Sequence, residues 1–162
     1  MNTGQSMLAV GAMMLLSIVV LRVNNSFLST NTVMMQSKFG VLATSLAQSV
    51  IEEATKKAFD ENSVGVPLYV TTSLTPAGSL GPDAETYDNF DDFDDYKGYT
   101  RDVTNLPSAV FHISCDVCYV DAQTPEQTSS NRTWNKKITV TVTSPSSNDT
   151  VKLYSIFSYW QF

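Results

Sequence analysis

The feature that most constrains this chain is its uncharged N-terminus. The first 21 residues carry no charged side chain, and the first charge is that of Arg22. An apolar segment runs from Met7 to Val23, and only Gly11, Ser17 and Arg22 interrupt it. As a helix, this segment spans about 25 Å, which is just enough to cross a thin hydrocarbon core. The segment is apolar on all sides, which disfavours the striped core helix of a soluble protein.

A cleaved secretory signal is another interpretation of the same segment. Such signals carry a positive stretch before the apolar run and a small-residue cleavage site after it. Here residues 1–4 contain no Lys or Arg, and no Ala-x-Ala pattern follows the run. The sequence therefore favours a membrane-inserted helix, whose apolar residues are Met7, Leu8, Val10, Met13, Met14, Leu15, Leu16, Ile18, Val19, Val20 and Leu21.

An amphipathic segment follows the apolar one. Residues 24–31 are polar and poor helix formers, so we expect the helix to kink or loosen there. Apolar side chains then recur at helical spacing along one face, at Met35, Phe39, Leu42, Leu46 and Val50. The sequence thus predicts a nearly continuous helix over residues 5–60. It comprises an apolar membrane or filament-core segment, 5–30, and an amphipathic segment that we place at 31–62.

The remainder, residues 63–162, is predicted to be a β-rich globular head. Ile138, Val140 and Val142 alternate with threonines, which is typical of a strand with one buried face. The stripe of the amphipathic helix is the natural cover for that face, which gives an α+β fold with a small antiparallel sheet of three to five strands. The predicted strands are Pro67–Leu74, Ala109–Val120, Lys137–Ser144 and Val151–Tyr159.

Negative charge is concentrated in one loop of this head. The chain carries 16 acidic and 10 basic residues, and eight of the acids fall in an acidic loop over residues 83–102. A nucleic-acid partner is disfavoured, because binding phosphates requires a basic face.

Two interpretations of the acidic run from Asp88 to Tyr96 remain open. A Ca²⁺ site needs about six to eight oxygen ligands, and the run lacks the residue order of an EF-hand. We favour a structural loop, in which Phe90, Phe93 and Tyr96 dock on the helix while the aspartates face water or cap backbone N–H groups.

The two cysteines, Cys115 and Cys118, lie within a predicted strand. A redox-active pair needs a helix N-terminus to lower the thiol pKa, and haem attachment needs a histidine where Tyr119 stands. On a straight strand the two positions lie about 10 Å apart on opposite faces, so a disulfide requires a bulge or turn at Asp116–Val117. In an oxidising compartment we expect that bonded turn.

The chain has a single histidine and no Gly-x-Ser-x-Gly motif. The sequence therefore predicts neither an enzyme nor a bound metal or cofactor.

The order of the elements resembles that of type IV pilins and type II secretion pseudopilins. Closer similarity to minor pilin-like proteins of the mannose-sensitive haemagglutinin type lies at three places. Residues 46–61 are similar to the end of the helix in that group, residues 90–98 to its acidic loop, and residues 138–143 with 151–153 to its terminal hairpin. The three matches are short, and their order along the chain carries the resemblance.

The resemblance implies a structural subunit of a fimbrial filament, with adhesion or secretion as its class of function. A leader of residues 1–4 would be cleaved between Gly4 and Gln5. The apolar helix would be held in the inner membrane and then among copies of itself or other pilin-like subunits, in an extracellular or periplasmic filament, with the cell surface as the expected location.

Two departures from the family pattern stand out. The leader has no basic residue, and Ala9 stands where the family has a glutamate at the fifth mature position. In the family that carboxylate neutralises the terminal ammonium of a neighbour. Either Gln5 and Ser6 supply the polar contacts in its place, or this subunit packs differently.

The alternative function is a monomeric, membrane-anchored extracytoplasmic binding domain that depends on calcium.

Overall fold

The computed structural model describes residues 2–107 and 109–160, which form one long helix and one four-stranded sheet. Helix α1 is Thr3–Ala54, and each strand pairs antiparallel with the next along the chain. The predicted α+β class, with a long N-terminal helix packed on a small antiparallel sheet, is confirmed. The strands are β1 (Thr100–Val103), β2 (Phe111–Tyr119), β3 (Asn135–Ser144) and β4 (Ser147–Ser158).

The chain divides into two compact units. Residues up to Phe39 form the first, and residues from Gly40 onward form the second, which we call the head. The head therefore contains the C-terminal part of α1 together with the whole sheet.

Helix α1 continues through the polar segment 24–31, where a kink was expected. The hydroxyls of Thr30 and Thr32 donate to carbonyl oxygens four residues back, at 2.9 and 3.0 Å. Both hydroxyls share an acceptor with the backbone ladder, a pattern that slightly destabilises a helix, yet the helix continues without interruption.

The helix ends at Ala54, earlier than the predicted end near residue 60. Beyond it, the backbone N–H groups of Lys56 and Lys57 bond to carbonyls only three residues back, at 3.1 and 3.2 Å. This tighter 3₁₀ turn closes the helix and redirects the chain.

The buried face of α1 within the head consists largely of small side chains. The predicted stripe is offset from it, since Leu42 and Leu46 are only half-buried and Met35 is exposed, although Phe39 and Val50 are buried as expected. Small side chains at this face let the helix backbone approach its cover closely. The buried residues are Ala43, Ala47, Val50, Ile51 and Ala54.

Strands β2 and β3 alternate buried and less buried side chains along their whole length. The predicted inward face of β3, formed by Ile138, Val140 and Val142, is confirmed, because all three are fully buried. Lys136 continues the same phase and is also fully buried. The sheet therefore carries one cation into the interior of the head.

The predicted first strand, Pro67–Leu74, is wrong. This segment contains a 3₁₀ turn at Thr71–Ser73 and belongs to no strand. It is held instead by contacts such as the Leu68 N–H, which donates to the Tyr159 hydroxyl at 2.8 Å. The strand that precedes β2 is β1, whose first three residues fall in the region 83–102 that we expected to be loop.

Candidate functional site

The first unit carries a continuous apolar surface on α1. An 18-residue window of the helix has a mean hydropathy of 2.2, and none of it is buried. By length and composition alone, this helix is long and apolar enough to cross a membrane. The residues predicted for this helix are 50% to 79% exposed, namely Met7, Leu8, Val10, Met13, Met14, Leu15, Leu16, Ile18, Val19, Val20 and Leu21.

The predicted processing site, Gly4 and Gln5, lies in the first turn of this helix, and both residues are exposed. The Gln5 N–H donates to the carbonyl of Asn2 at 2.9 Å, and the Ser6 hydroxyl donates to that of Thr3 at 3.1 Å. The hydroxyl of Ser6 is thus occupied locally. Cleavage after Gly4 stays a prediction.

The acidic loop in the head has the predicted structural role. Phe90, Phe93 and Tyr96 are all buried. The carboxylate of Asp92 accepts the N–H groups of residues 94 and 95 at 2.8 and 3.1 Å. That of Asp95 accepts the N–H groups of residues 91 and 92 at 3.0 and 3.1 Å. These aspartates cap the backbone, as expected, but they do so from buried positions.

Glu53, near the end of α1, holds the same loop. Its two carboxylate oxygens accept the hydroxyls of Tyr87 and Tyr96 at 2.7 and 2.8 Å. Burial, together with the hydrogen bond to a negative partner, raises the pKa of both tyrosines above its ordinary value. Lys57 adds a bond from its ammonium to the carbonyl of Phe90, at 2.5 Å.

The interior of the head holds an ionic cluster centred on Lys136, whose side chain is fully buried. Its ammonium donates to the Phe59 carbonyl and to Asp60 Oδ2, both at 2.8 Å, and to Asp94 Oδ1. The rings of Phe59 and Tyr119 lie 4.7 and 5.3 Å from Nζ, within the range of cation–π attraction.

Asp60 is the most completely bonded carboxylate of this cluster. Besides Lys136, it accepts the N–H and hydroxyl of Thr75, the N–H of Asn62 and the hydroxyl of Tyr119, all between 3.0 and 3.2 Å. Burial acts to raise its pKa, but the attraction of Lys136 and these donors outweigh burial. The pKa of Asp60 is therefore below its ordinary value, and the group stays ionised.

Asp92 and Asp94 behave in the opposite way. Burial, and then repulsion from Asp94 and Asp95, raises the pKa of Asp92 to about 9. Burial also raises the pKa of Asp94, although Lys136 opposes the shift. Asp92 is therefore protonated at neutral pH. Its Oδ2 and that of Asp94 are buried and lack a hydrogen-bond partner among the described residues, which is rare for buried polar atoms.

The ionic cluster around Lys136 was not predicted from the sequence. The available signal was the phase of β3, because Lys136 lies two residues before Ile138 and so falls on the predicted buried face. No local pattern marked Asp60 as its partner.

A second acidic group lies on the same loop. Ligand oxygens of Glu85, Asp91 and Asp95 lie within 4.8 Å of one another, and the first two side chains are exposed. One grouped oxygen from each carboxylate gives three ligands, fewer than the about six to eight oxygens that Ca²⁺ takes, and Asp95 already accepts two backbone N–H groups. Of the acidic run proposed from sequence, only Asp91 and Asp95 belong to this group.

The predicted disulfide is wrong, because Cys115 and Cys118 are both free. Strand β2 pairs with β3 in unbroken register, Cys115 opposite Val140 and Cys118 opposite Lys137. The strand has no bulge that would turn the two sulfurs toward each other. Burial raises the pKa of the Cys115 thiol to about 12, which makes it unreactive.

The chain matches no protein-family model, no curated protein and no solved structure. Its long apolar N-terminal helix and small antiparallel sheet are compatible with a pilin-like fold.

Proposed function

We propose that this chain is a structural subunit of a type IV pilus-like filament, which assembles through its N-terminal hydrophobic helix. The observation that carries the proposal is the apolar surface of α1 before residue 24, which the chain itself leaves uncovered. Each Å² of apolar surface removed from water contributes about 25 cal/mol, so such a surface requires a partner.

Two environments cover an all-round apolar helix: lipid, and a bundle of similar helices. In the proposed function the chain uses both, first the inner membrane and then the core of an extracellular filament. Its partners are copies of itself or other pilin-like subunits. Gly11, which has open space around its Cα, would allow close approach of a neighbouring helix.

The head would face outward and present the surface of the filament. The side chains of the acidic loop and of the ionic cluster around Lys136 are buried inside the head. Contacts between subunits would therefore be made by other, exposed side chains of the head. The acidic balance of the chain supports protein partners rather than nucleic acid.

Shearing of intact cells tests the proposal. Filaments released by shear are collected, and the N-terminus and abundance of this chain are determined by mass spectrometry in both the sheared and the membrane fractions. A filament fraction that contains the chain with Gln5 as its first residue is the expected result. Chain found only in membranes and beginning at Met1 would contradict a processed filament subunit.

A membrane-anchored, calcium-dependent binding domain is the second candidate, favoured by the grouping of Glu85, Asp91 and Asp95. It predicts that the full chain in detergent is monomeric and that Ca²⁺ raises its unfolding temperature. Replacing Asp91 with Asn should abolish that rise, whereas the neighbouring exposed Asp88→Asn should leave it intact. No response of the wild-type chain to Ca²⁺ or EGTA would remove the calcium part of this candidate.

A further inference from the structure

A lysine and two carboxyl groups meet in the interior of the head without access to water. The side chains of Lys136 and Asp94 are 0% and 1% exposed, and residue Asp92 is 1% exposed. Lys136 Nζ contacts Asp94 Oδ1, and the carboxyl group of Asp92 accepts the backbone N–H of Asp94 at 2.8 Å. The second oxygens of Asp92 and Asp94 are both buried and have no hydrogen-bond partner among the described residues. An amine and two carboxyl groups, each with an unpaired oxygen, are thus brought together.

We propose that Lys136 and Asp94 react with each other to form an intramolecular isopeptide bond, with Asp92 as the group that carries the proton. The ion pair of the structure is the reactant geometry. A nitrogen that hydrogen-bonds one carboxyl oxygen lies within about 3–3.5 Å of the carboxyl carbon, which is the separation of a near-attack arrangement. Because the fold keeps the two side chains in contact, they do not have to diffuse together before they react.

Asp94 is the acyl partner rather than Asp60, although Lys136 bonds to both. Asp60 is kept ionised by the attraction of Lys136 and by donors on both of its oxygens, and a carboxylate of that kind resists attack by an amine. Asp94 Oδ2 has no such donors among the described residues, and burial disfavours its charge. Asp94 is therefore the carboxyl that accepts a proton most readily.

The bond-forming step balances without an external reactant. The ammonium of Lys136 passes one proton to the Asp94 carboxylate, which leaves a neutral amine and a carboxylic acid. Nζ attacks Cγ, and the proton held by Asp92 stabilises the oxygen on which negative charge develops. A carbon–oxygen bond then breaks and water leaves, taking one proton from the nitrogen. Asp92 ends protonated as it began, and no group is oxidised or reduced.

The surroundings favour the product. The reaction replaces a buried ammonium and a buried carboxylate with a neutral amide, which removes the cost of keeping two charges away from water. Asp60 loses its cationic partner, a cost that the remaining donors from Thr75, Asn62 and Tyr119 offset only in part. The rings of Phe59 and Tyr119 cover Nζ and exclude water that would compete with the amine.

Mass spectrometry of the full-length wild-type chain, purified in detergent and then denatured, tests the proposal directly. After proteolysis we expect a branched peptide that joins the segment containing Asp94 to the segment containing Lys136, with a mass about 18 Da below the sum of the two. Dehydration of an aspartate to a succinimide also removes water, but it joins no second peptide. Recovery of the two segments unlinked and at full mass from folded wild-type chain would overturn the proposal.

Matched variants identify the reacting groups. Lys136→Arg keeps the charge but removes the nucleophilic amine, and it should show no branched peptide, whereas the neighbouring Lys137→Arg should remain linked. Asp92→Asn should slow linking by about 10²-fold or more, because the acid–base group is lost. Full linking at the wild-type rate in Asp92→Asn would overturn the role of Asp92. A linked product in Lys136→Arg would overturn the assignment of the amine.

Discussion

Lys136 and Asp60 lie 76 residues apart in the chain, and their side chains meet in the interior of the head with Nζ 2.8 Å from Oδ2 and no exposure on either. Lys136 is the second residue of β3, and Asp60 lies six residues after the end of α1. The pair therefore fixes the chain that leaves the helix against the sheet. A buried ion pair of this kind is weak evidence of net stabilisation, but removal of one partner leaves a charge that nothing compensates.

Replacement of Lys136 by Met should destabilise the head severely. Loss of the ammonium leaves Asp60 and Asp94 facing each other in a buried site, for which about 3–5 kcal/mol of lost unfolding free energy is expected. Urea titration of the full chain in detergent measures the change. Lys137→Met is the control, because among the described residues that side chain bonds to the carbonyls of Pro125 and Glu126 and to no carboxylate. Equal losses in the two variants would contradict the cluster's role.

The protonated state of Asp92 predicts a specific pH dependence of stability. The pKa of Asp92 is raised in the folded chain to about 9, above its unfolded value, so its favourable contribution is complete below the unfolded pKa and is lost as pH rises through about 9. The slope is at most about 1.4 kcal/mol per pH unit. The free energy of unfolding, measured from about pH 5 to about pH 9, should fall as the pH rises in the wild type. It should vary less with pH in Asp92→Asn. An unchanged slope in the variant would show that Asp92 is ionised.

Asp60 predicts the opposite behaviour at the acid end. Its pKa is lowered in the folded chain, so its contribution is present above the unfolded pKa and is lost as pH falls through the folded value. Acid titration followed by near-ultraviolet circular dichroism should show the head unfolding at a higher pH in Asp60→Asn than in wild type. The variant lacks the carboxylate from the start and so has less stability to lose. A wild-type acid midpoint in the variant would be the contrary result.

Glu53 should be necessary for the acidic loop to stay docked. Glu53→Ala leaves the hydroxyls of Tyr87 and Tyr96 without their acceptor, at an expected cost of about 1–3 kcal/mol. Hydrogen exchange in the loop region measures the effect locally. The adjacent Glu52→Ala is the matched control, since Glu52 is exposed and its carboxylate is bonded only by Gln48. Faster exchange in both variants alike would argue against a docking role for Glu53.

A charge on the apolar part of α1 should remove the chain from membranes. Val19→Asp introduces a group whose insertion at a helix centre costs about 2.5–3.5 kcal/mol. Val41→Asp serves as the control, because Val41 is also exposed, at 70% against 55% for Val19, but lies beyond the most apolar segment. The fraction of chain that resists carbonate extraction should fall in the first variant only. A fall in neither would contradict membrane insertion of this segment.

The two cysteines should be distinguishable by a thiol reagent without prior reduction. Cys118 is half-buried and should react in the folded chain, whereas Cys115 is buried with a raised pKa and should react only after denaturation. Tandem mass spectrometry locates the label. Absence of label at both sites in the denatured, unreduced chain would show that the two cysteines form a disulfide.

Part of this structure could be predicted from the sequence, because the signal was local. An uninterrupted apolar run needs no knowledge of its surroundings to be identified as a helix that avoids water. The alternation of Ile138, Val140 and Val142 likewise reports a strand with one buried face. The aromatic spacing in the acidic loop correctly predicted that Phe90, Phe93 and Tyr96 are buried, but not that Asp92, Asp94 and Asp95 are buried with them.

The other features depended on contacts between distant parts of the chain. The first predicted strand failed because residues 67–74 are held by side chains such as Tyr159, and not by a neighbouring strand. The disulfide failed because pairing with β3 keeps β2 straight, which a Cys-x-x-Cys spacing by itself does not reveal.

The sequence by itself determined the apolar helix, the α+β class and the inward face of β3, because periodicity and composition act over a few neighbouring residues. Only the tertiary structure decided that Lys136 lies between Asp60 and Asp94, and that Asp92 carries a proton beside them. Those partners are 76 and 42 residues from Lys136 along the chain. Their ionisation depends on burial and on one another's charge, and both exist only after the chain has folded.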